Sequence, residues 1–216
     1  MQRSEMIEIS YFEEVKRKLV HLSSLWMVAA TLLIPHFFPS GRWISCGVFG
    51  ALLILTLVSE HDYAGNGKYL GRLYGFLFGK MLRKEVHPGQ WIVSGGAFVL
   101  AAALLVNLLF VPIIAAPALA VMLTGDAAAA LIGRKFGKHP APNGKSWEGC
   151  VAFVIVGYAA LALCVALSPA PAKFYILGVP AVILSCVAEL FEKQIHLDDN
   201  FSIPLVTGLI LCIGGA

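Results

Sequence analysis

Residues 124–149, TGDAAAALIGRKFGKHPAPNGKSWEG, begin inside an apolar segment and end in a charged loop. One carboxylate, Asp126, lies in the apolar part, and cationic residues follow from Arg134 onward. A charged group at the centre of a membrane helix costs roughly 2.5–3.5 kcal/mol on insertion scales, so it normally faces a protein cavity and has a partner. We therefore predict a transmembrane helix whose acid faces other helices and pairs with a cation.

The same segment carries a row of small residues. Read as a helix, it places Ala130, Gly133 and Gly137 on the same side as Asp126. Small residues on one face allow another backbone to approach closely. The sequence therefore predicts a smooth helix face beside the acid.

The loop after this helix has the character of an anion site. It contains Asn-Gly-Lys-Ser at positions 143–146, directly before the next apolar helix. Lys145 and Ser146 therefore lie at a helix N-terminus, where free backbone N–H groups and the helix dipole favour an anion. A carboxylate for a metal ion and several nearby cations suit a nucleotide phosphate with Mg²⁺. In the simpler alternative, Asp126 pairs with Arg134 and the cations only anchor the loop at the membrane surface.

The composition decides the class of protein. Hydrophobic residues make up 58% of the 216 residues and charged residues only 13%, whereas a soluble domain has about 25% charged residues. The formal net charge of +3 is too small to indicate a nucleic-acid partner. The five cysteines lie in apolar segments without a C-x-x-C pair, which argues against a disulfide framework or a zinc site. We predict an integral membrane protein with residues 1–216 forming a single domain.

Apolar segments divide the chain into candidate spans. They cover approximately 19–39, 43–59, 91–110, 112–133, 147–168, 173–191 and 203–216. The last is short for a crossing of about 20 residues. The predicted fold is an all-α, polytopic membrane protein with six or seven transmembrane helices.

The basic residues are distributed unevenly between the two sides of this arrangement. Fourteen of the sixteen Lys and Arg residues fall on the side of the N-terminus and the 134–146 loop, and only Arg42 and Lys173 fall on the other. The positive-inside rule then makes the N-terminus and the loops that carry the motifs cytoplasmic, where nucleotides are available. All thirteen acidic residues belong to that same side, as a metal site would require and an anchoring surface would not.

Between the second and third apolar segments lies a glycine-rich stretch. Gly67, Gly71, Gly75 and Gly79 recur every four residues. The stretch is too short and too charged for a clear span, so we predict an interfacial or re-entrant helix packed through its glycines. The polar residues at 60–62, which precede it, are expected to cap a helix end.

Two further polar groups flank the membrane segments. Glu14, Arg17, Lys18 and His21 share one helix face at the membrane boundary, either as part of a site or as a surface salt-bridge stripe. Near the C-terminus an acidic group precedes the last helix and comprises Glu189, Glu192, Asp198 and Asp199. Two adjacent Asp side chains cannot point the same way, so one is expected to face the site while the other caps the helix; all of them serving as caps is the alternative.

These segments resemble the signature sequences of the polyprenol kinase family. The resemblance is carried by EEVKRKLVH at 13–21, GDAAAALIGRKFGK at 125–138, NGKSWEG at 143–149 and DDNFSIPLVTG at 198–208. That family includes dolichol kinases, phytol kinases and CTP-dependent diacylglycerol kinases, and CDP-diacylglycerol synthases are more distant relatives. The resemblance implies phosphorylation of a membrane lipid alcohol from CTP, with the bilayer as its setting.

The resemblance also implies roles for particular residues. Mg²⁺ would be held by Asp126 together with Asp198 or Asp199, and Glu189 or one of the two adjacent Asp residues would orient the accepting hydroxyl. The N-terminal group, Glu14, Arg17, Lys18 and His21, would belong to the same site. The residues expected to bind the nucleotide are Arg134, Lys135, Lys138, Asn143, Lys145 and Ser146. The chain has no G-x-x-x-x-G-K-[ST] sequence, so a P-loop is not predicted.

Two other functions are weighed against this one. A CDP-lipid synthase of the phosphatidate cytidylyltransferase type would use the same nucleotide and similar metals, but the DDNFSIPL segment resembles the kinase branch. A proton-coupled carrier would use Asp126 and Glu189 as relay acids, but the sequence contains no inverted repeat. The lipid substrate and a possible homodimer are left open.

Overall fold

The computed structural model describes residues 11–65, 67, 70–78 and 93–215. Within these ranges the regular structure is helical, apart from one isolated β-bridge between Pro140 and Ser146. The helices are α1 Tyr11–Ser23, α2 Trp26–Phe37, α3 Gly41–Ala64, α4 Leu70–Phe78, α5 Gly95–Leu109, α6 Pro112–Phe136, α7 Trp147–Ala166, α8 Lys173–Leu190, α9 Glu192–Ile195 and α10 Asp199–Gly215. A 3₁₀ turn, Pro142–Gly144, precedes α7.

Five segments are long and apolar enough to cross a membrane: Tyr11–Phe37, which joins α1 and α2, and the helices α3, α6, α7 and α8. The helices α5 and α10 are also apolar but shorter, with 15 and 17 residues. These seven elements match the seven predicted apolar segments. The prediction of an all-α, polytopic membrane protein is therefore confirmed.

Helix α6 forms the centre of the bundle. In the most apolar 18-residue window of α6, 72% of the residues are buried. The corresponding share is 50% or less in the other four long segments. The neighbours of α6 are α1, α2, α5, α7, α8 and α10. Alanines at 115, 116, 118 and 120 are fully or almost fully buried, and such small residues let helices pack closely without a hydrophobic driving force between them. Any side chain on the inner face of α6 therefore meets protein on several sides.

The smooth face predicted on α6 is in contact with the first turn of α7. A Cβ atom added to Gly149 would lie 2.9 Å from the carbonyl oxygen of Ala129 and 3.3 Å from the Cα of Gly133. A Cβ added to Gly133 would lie 2.8 Å from Ser146 Oγ. The predicted close approach is confirmed, and the approaching backbone belongs to the protein itself.

The glycine-rich stretch forms the short helix α4, which packs on the end of α3. A Cβ at Gly71 would lie 2.6 Å from the backbone nitrogen of Tyr63, and one at Gly75 would lie 2.4 Å from Cε2 of the Tyr63 ring. Packing through these two glycines is confirmed, whereas Gly79 lies outside the described residues. Asp62 accepts a hydrogen bond from the Gly71 N–H at 2.7 Å, so the expected cap stabilises the start of α4.

We predict that Gly149→Ala destabilises the protein, because the added methyl group cannot fit between α6 and α7. Overpacking of this kind costs about 1–3 kcal/mol. The measurement is the thermal unfolding midpoint of purified protein in detergent. Gly47→Ala on α3 is the matched control, since a Cβ there meets nothing within 4 Å and should be neutral or slightly stabilising. Equal midpoints for the two variants would contradict this packing.

Candidate functional site

Polar side chains from distant parts of the chain meet at one end of the helix bundle. They come from α1, from α6 and the loop after it, from the end of α8, and from the first residues of α9 and α10. Hydrogen bonds, ion pairs or electrostatic interactions link members of the group to one another. The residues are Glu14, Arg17, Lys18, His21, Asp126, Arg134, Lys145, Glu189, Glu192 and Asp199. We call this set the charged cluster.

At the centre of the charged cluster is a buried ion pair between Asp126 and Lys18. Lys18 Nζ donates to Asp126 Oδ1 at 2.7 Å and to Oδ2 at 2.6 Å. The two residues are 8% and 5% exposed. His21 Nε2 lies 3.3 Å from the same Oδ2 atom but is not aligned for a hydrogen bond. The predicted cationic partner is therefore confirmed, and it comes from α1 and not from Arg134.

The N-terminal helix face is a part of the protein interior. Glu14 and Lys18 are 6% and 5% exposed, so the alternative of a solvated salt-bridge stripe is wrong for these two residues. Glu14 pairs with Arg17 one turn away, and its Oε2 lies 3.7 Å from Arg134 Nη1 on α6. Helix α1 is thus joined to α6 through two acid–base contacts that lie on one face.

A second ion pair joins the loop before α7 to the end of α8. Lys145 Nζ lies 2.6 Å from Glu189 Oε1, also donates to the Glu189 carbonyl oxygen, and lies 3.6 Å from Glu192 Oε2. Burial lowers the pKa of the Lys145 ammonium, but the Glu189, Glu192 and Asp199 carboxylates outweigh this effect and hold the pKa above its ordinary value. The ammonium is therefore charged throughout the neutral pH range.

Asn143 fixes the same loop to α8 and α9. It has a left-handed backbone with φ of 61°, a conformation that Asn tolerates better than most residues. Its Nδ2 donates to the Leu190 carbonyl at 2.7 Å and to Gln194 Oε1 at 2.8 Å, while Gln194 Nε2 donates to Asn143 Oδ1 at 3.0 Å. Sequence reasoning missed Gln194, because no motif marks it and only the fold brings it beside the loop.

The other predicted nucleotide-binding residues surround the charged cluster. Ser146 is the N-cap of α7, and its Oγ accepts from the Gly149 N–H at 3.2 Å. Lys135 and Lys138 are exposed where α6 ends. Neither lysine contacts the two buried ion pairs in the described part of the chain.

The two adjacent acids before α10 have different environments, as predicted. Asp198 is exposed, and its Oδ1 accepts from the Asn200 backbone N–H at 3.0 Å and from Asn200 Nδ2 at 2.7 Å. Asp199 is half-buried and interacts electrostatically with Asp126 and Lys18. Asp199 therefore belongs to the charged cluster, while Asp198 serves the start of α10.

The predicted Mg²⁺ ligands are only partly assembled. Among the described residues no three His, Cys, Asp or Glu side chains are arranged to hold a metal ion. Both oxygens of Asp126 bind Lys18, and Asp198 is directed to Asn200. Mg²⁺ at a phosphate site commonly takes one or two carboxylates and completes its shell with phosphate oxygens and water. Of the two adjacent acids predicted to join Asp126, Asp199 is the one that interacts with it electrostatically, whereas Asp198 binds Asn200.

Comparison with known proteins adds to this description. A phytol kinase of Synechocystis is 26% identical over 218 residues, which cover 93% of this chain and 79% of the relative. An uncharacterised protein of Rickettsia prowazekii is also 26% identical, over 200 residues that cover 89% of this chain and 90% of that protein. No family model and no solved structure matches the chain. The similarity to the phytol kinase thus spans nearly the whole chain.

We predict that Lys18→Met and Asp126→Asn each destabilise the protein strongly, because each leaves a buried charge without its partner. Breaking a buried pair costs about 3–5 kcal/mol. The double variant should lose less free energy of unfolding than the sum of the losses in the two single variants. The coupling free energy should be about 1–3 kcal/mol. Thermal unfolding of the four proteins in detergent measures this coupling.

Lys16→Met is the control for this cycle, because Lys16 is exposed on the same helix. It should leave the unfolding midpoint unchanged. If Lys18→Met proves as mild as Lys16→Met, the Asp126–Lys18 pair does not hold α1 in place.

Proposed function

We propose that the protein is a membrane lipid-alcohol kinase that transfers the γ-phosphoryl group of CTP to the hydroxyl of a prenol or diacylglycerol. The observation that carries this proposal is the charged cluster, in which four motif segments spread over residues 13–208 come together at one end of the bundle. The similarity to a phytol kinase over 93% of the chain supports the reaction class. The distribution of Lys and Arg supports a cytoplasmic location for this end.

The charged cluster has the components that a nucleotide triphosphate requires. Lys18 and Lys145 are buried or half-buried cations, each bound to a carboxylate of the protein. An incoming triphosphate would compete for these ammonium groups, because phosphate oxygens form the same charge-assisted hydrogen bonds. Arg134, Lys135 and Lys138 would meet the phosphates nearer to solvent. The protein alone thus keeps its cations neutralised by acids until a phosphate replaces them.

The carboxylates released by that exchange would have two uses. Asp126 and Asp199 would hold Mg²⁺, which neutralises charge on the phosphates when it is bound. Glu189 would then be free to orient the accepting hydroxyl. It lies at the C-terminal end of α8, and the preceding turns of this helix are mostly apolar. Phosphoryl transfer depends on positioning and charge neutralisation more than on a strong base. A carboxylate that accepts a hydrogen bond from the alcohol is sufficient for this role.

We predict that Lys145→Ala weakens CTP binding by about tenfold or more, because it removes a charge-assisted hydrogen bond from a site that is poor in water. Titration of CTP into the purified protein in detergent measures the dissociation constant. Lys173→Ala is the control, since Lys173 is exposed at the opposite end of α8. Equal affinities for the two variants would leave Lys145 with an anchoring role only.

The reaction itself is tested with CTP labelled at either the α or the γ phosphate. Purified protein with Mg²⁺ and phytol, a polyprenol or diacylglycerol is expected to transfer γ label to the lipid and no α label. Asp126→Asn, assayed below its own unfolding midpoint, should insert into the membrane but transfer no label, because it loses a hard oxygen ligand for Mg²⁺.

Other outcomes would replace the proposal. Transfer of α label with phosphatidate as the required acceptor would establish a CDP-lipid synthase, because that enzyme attacks the α-phosphorus and expels pyrophosphate. Absence of a labelled product with every acceptor and nucleotide would exclude both enzymes and favour a carrier that uses the intramembrane acids. Full activity of Asp126→Asn at saturating Mg²⁺ would remove Asp126 from the metal site.

A further inference from the structure

Helix α4 carries an apolar face that is turned away from the rest of the described protein. Leu70, Leu73 and Phe76 follow one another at three-residue spacing, which places them on one side of the helix. They are 40%, 56% and 85% exposed, and Phe76 is the most exposed large apolar side chain among the described residues. This face therefore requires an apolar environment outside the described protein.

The opposite side of α4 is fixed to the helix bundle. Two glycines of α4 pack on Tyr63 near the end of α3. The buried Tyr74 donates from its hydroxyl to Glu60 Oε1 at 3.0 Å. The other oxygen of this carboxylate accepts from the backbone N–H of Ser94, directly before α5, at 3.2 Å. These contacts determine which face of α4 is turned outward.

The same contacts set the depth of α4 in the membrane. The 24 residues of α3 span about 36 Å, whereas the hydrocarbon core of a bilayer is about 30 Å thick. The ends of α3 therefore reach the headgroup region, and its last five residues include the polar Glu60, His61 and Asp62. Because α4 binds Glu60, Asp62 and Tyr63, it lies at the level where the headgroups begin.

Helix α3 ends on the membrane face that carries the charged cluster. The segment Tyr11–Phe37 crosses the membrane in one direction, and α3 crosses back after the short connection at 38–40. The end of α3 is therefore on the same side as the start of α1, which supplies Glu14 and Lys18 to the charged cluster. The distribution of Lys and Arg supports a cytoplasmic location for this side.

A basic side chain borders the apolar face of α4. Arg72 is exposed and lies one turn before Phe76, so the two side chains are neighbours on the helix surface. The sequence from 65 to 92 is basic as a whole, with five Lys and Arg residues and one acid. A long basic side chain beside an apolar face is typical of interfacial helices, because its hydrocarbon stem follows the apolar boundary while its charge reaches the headgroups.

We infer that α4 lies in the headgroup boundary of the cytoplasmic leaflet, where Arg72 binds the phosphate groups of anionic lipids. Leu70, Leu73 and Phe76 would enter the adjoining part of the acyl chains, as the apolar face of an interfacial helix does. A re-entrant helix, in contrast, would bring the Arg72 guanidinium into the hydrocarbon core, where a charged group is costly. The inference goes beyond the proposed function and does not depend on it, because it involves none of the residues of the charged cluster.

The depth of α4 is measured with Phe76→Trp in vesicles that contain brominated phospholipids. The difference between this variant and the native protein, which has four Trp residues, isolates the fluorescence of the new side chain. Bromines near the headgroup should quench it at least about twice as strongly as bromines near the ends of the acyl chains.

Ile54→Trp is the control for depth. Ile54 is 64% exposed and lies ten residues before the end of α3, which is about 15 Å along the helix and near the centre of the bilayer. Its replacement should be quenched more strongly by the deep bromines. If the deep bromines also quench Phe76→Trp more strongly, α4 is re-entrant and the inference is wrong.

The preference for anionic headgroups is measured in the Phe76→Trp protein at low ionic strength. Brominated phosphatidylglycerol or brominated phosphatidylcholine is added as a minor component of otherwise identical vesicles. We expect the anionic lipid to be enriched about fivefold near the new tryptophan, the effect of one basic side chain at an anionic surface. The preference should fall when Arg72→Gln is added and when salt is raised, because salt screens exposed charges.

Lys16→Gln in the same Phe76→Trp protein is the matched control, because Lys16 is exposed on α1 and its replacement removes the same charge. This variant should keep the preference for phosphatidylglycerol. Equal quenching by the two lipids in Phe76→Trp, or a preference that Arg72→Gln leaves unchanged, would overturn the inference. Phe76 and Arg72 are both exposed, so an unchanged thermal unfolding midpoint in each variant verifies that the fold is intact.

Discussion

The buried pair of Asp126 and Lys18 is the constraint on which the arrangement of the helices depends. Helix α6 is the most buried of the long apolar segments, and it carries an acid that has no access to bulk water. An unpaired charge in that position would be costly. Lys18 is the partner of this charge, because its ammonium group donates hydrogen bonds to both carboxylate oxygens. Helix α1, which is otherwise polar, therefore lies against the centre of the bundle instead of the bilayer surface.

Three acid–base contacts connect the main elements of the charged cluster. Lys18 binds Asp126, Lys145 binds Glu189, and Arg134 lies near Glu14. Each pair joins segments that are distant in sequence, so the same contacts that stabilise the fold also bring the chemically important groups together. Such a cluster is stable without a ligand, yet every pair contains one group that a phosphate or a metal ion would bind. The stability of the fold and the ligand binding that we propose thus depend on the same charges.

Much of the fold could be predicted from the sequence, because it depends on patterns of residues that are close together along the chain. The apolar segments determine the helices, and the small residues Ala130, Gly133 and Gly137 anticipate a close helix contact. The different roles of Asp198 and Asp199 follow from their adjacency, since neighbouring side chains point in different directions. The partners of Asp126 and Lys145 could not be predicted, because several cations were available and only tertiary packing selects one. The role of Gln194 has no local signal, since it arises only where the loop before α7 meets α9.

The separation of Lys18 and Asp126 by 108 residues has a consequence for the biosynthesis of the protein. At a translation rate of about 5–20 residues per second, roughly 5–22 s pass between the synthesis of the lysine and that of its acid. During this interval α1 has no counter-charge on α6, and its polar face favours the aqueous boundary of the membrane. Docking of α1 is therefore a late step, which occurs only after α6 has been inserted. Helix α1 then reaches its final position well after its own synthesis.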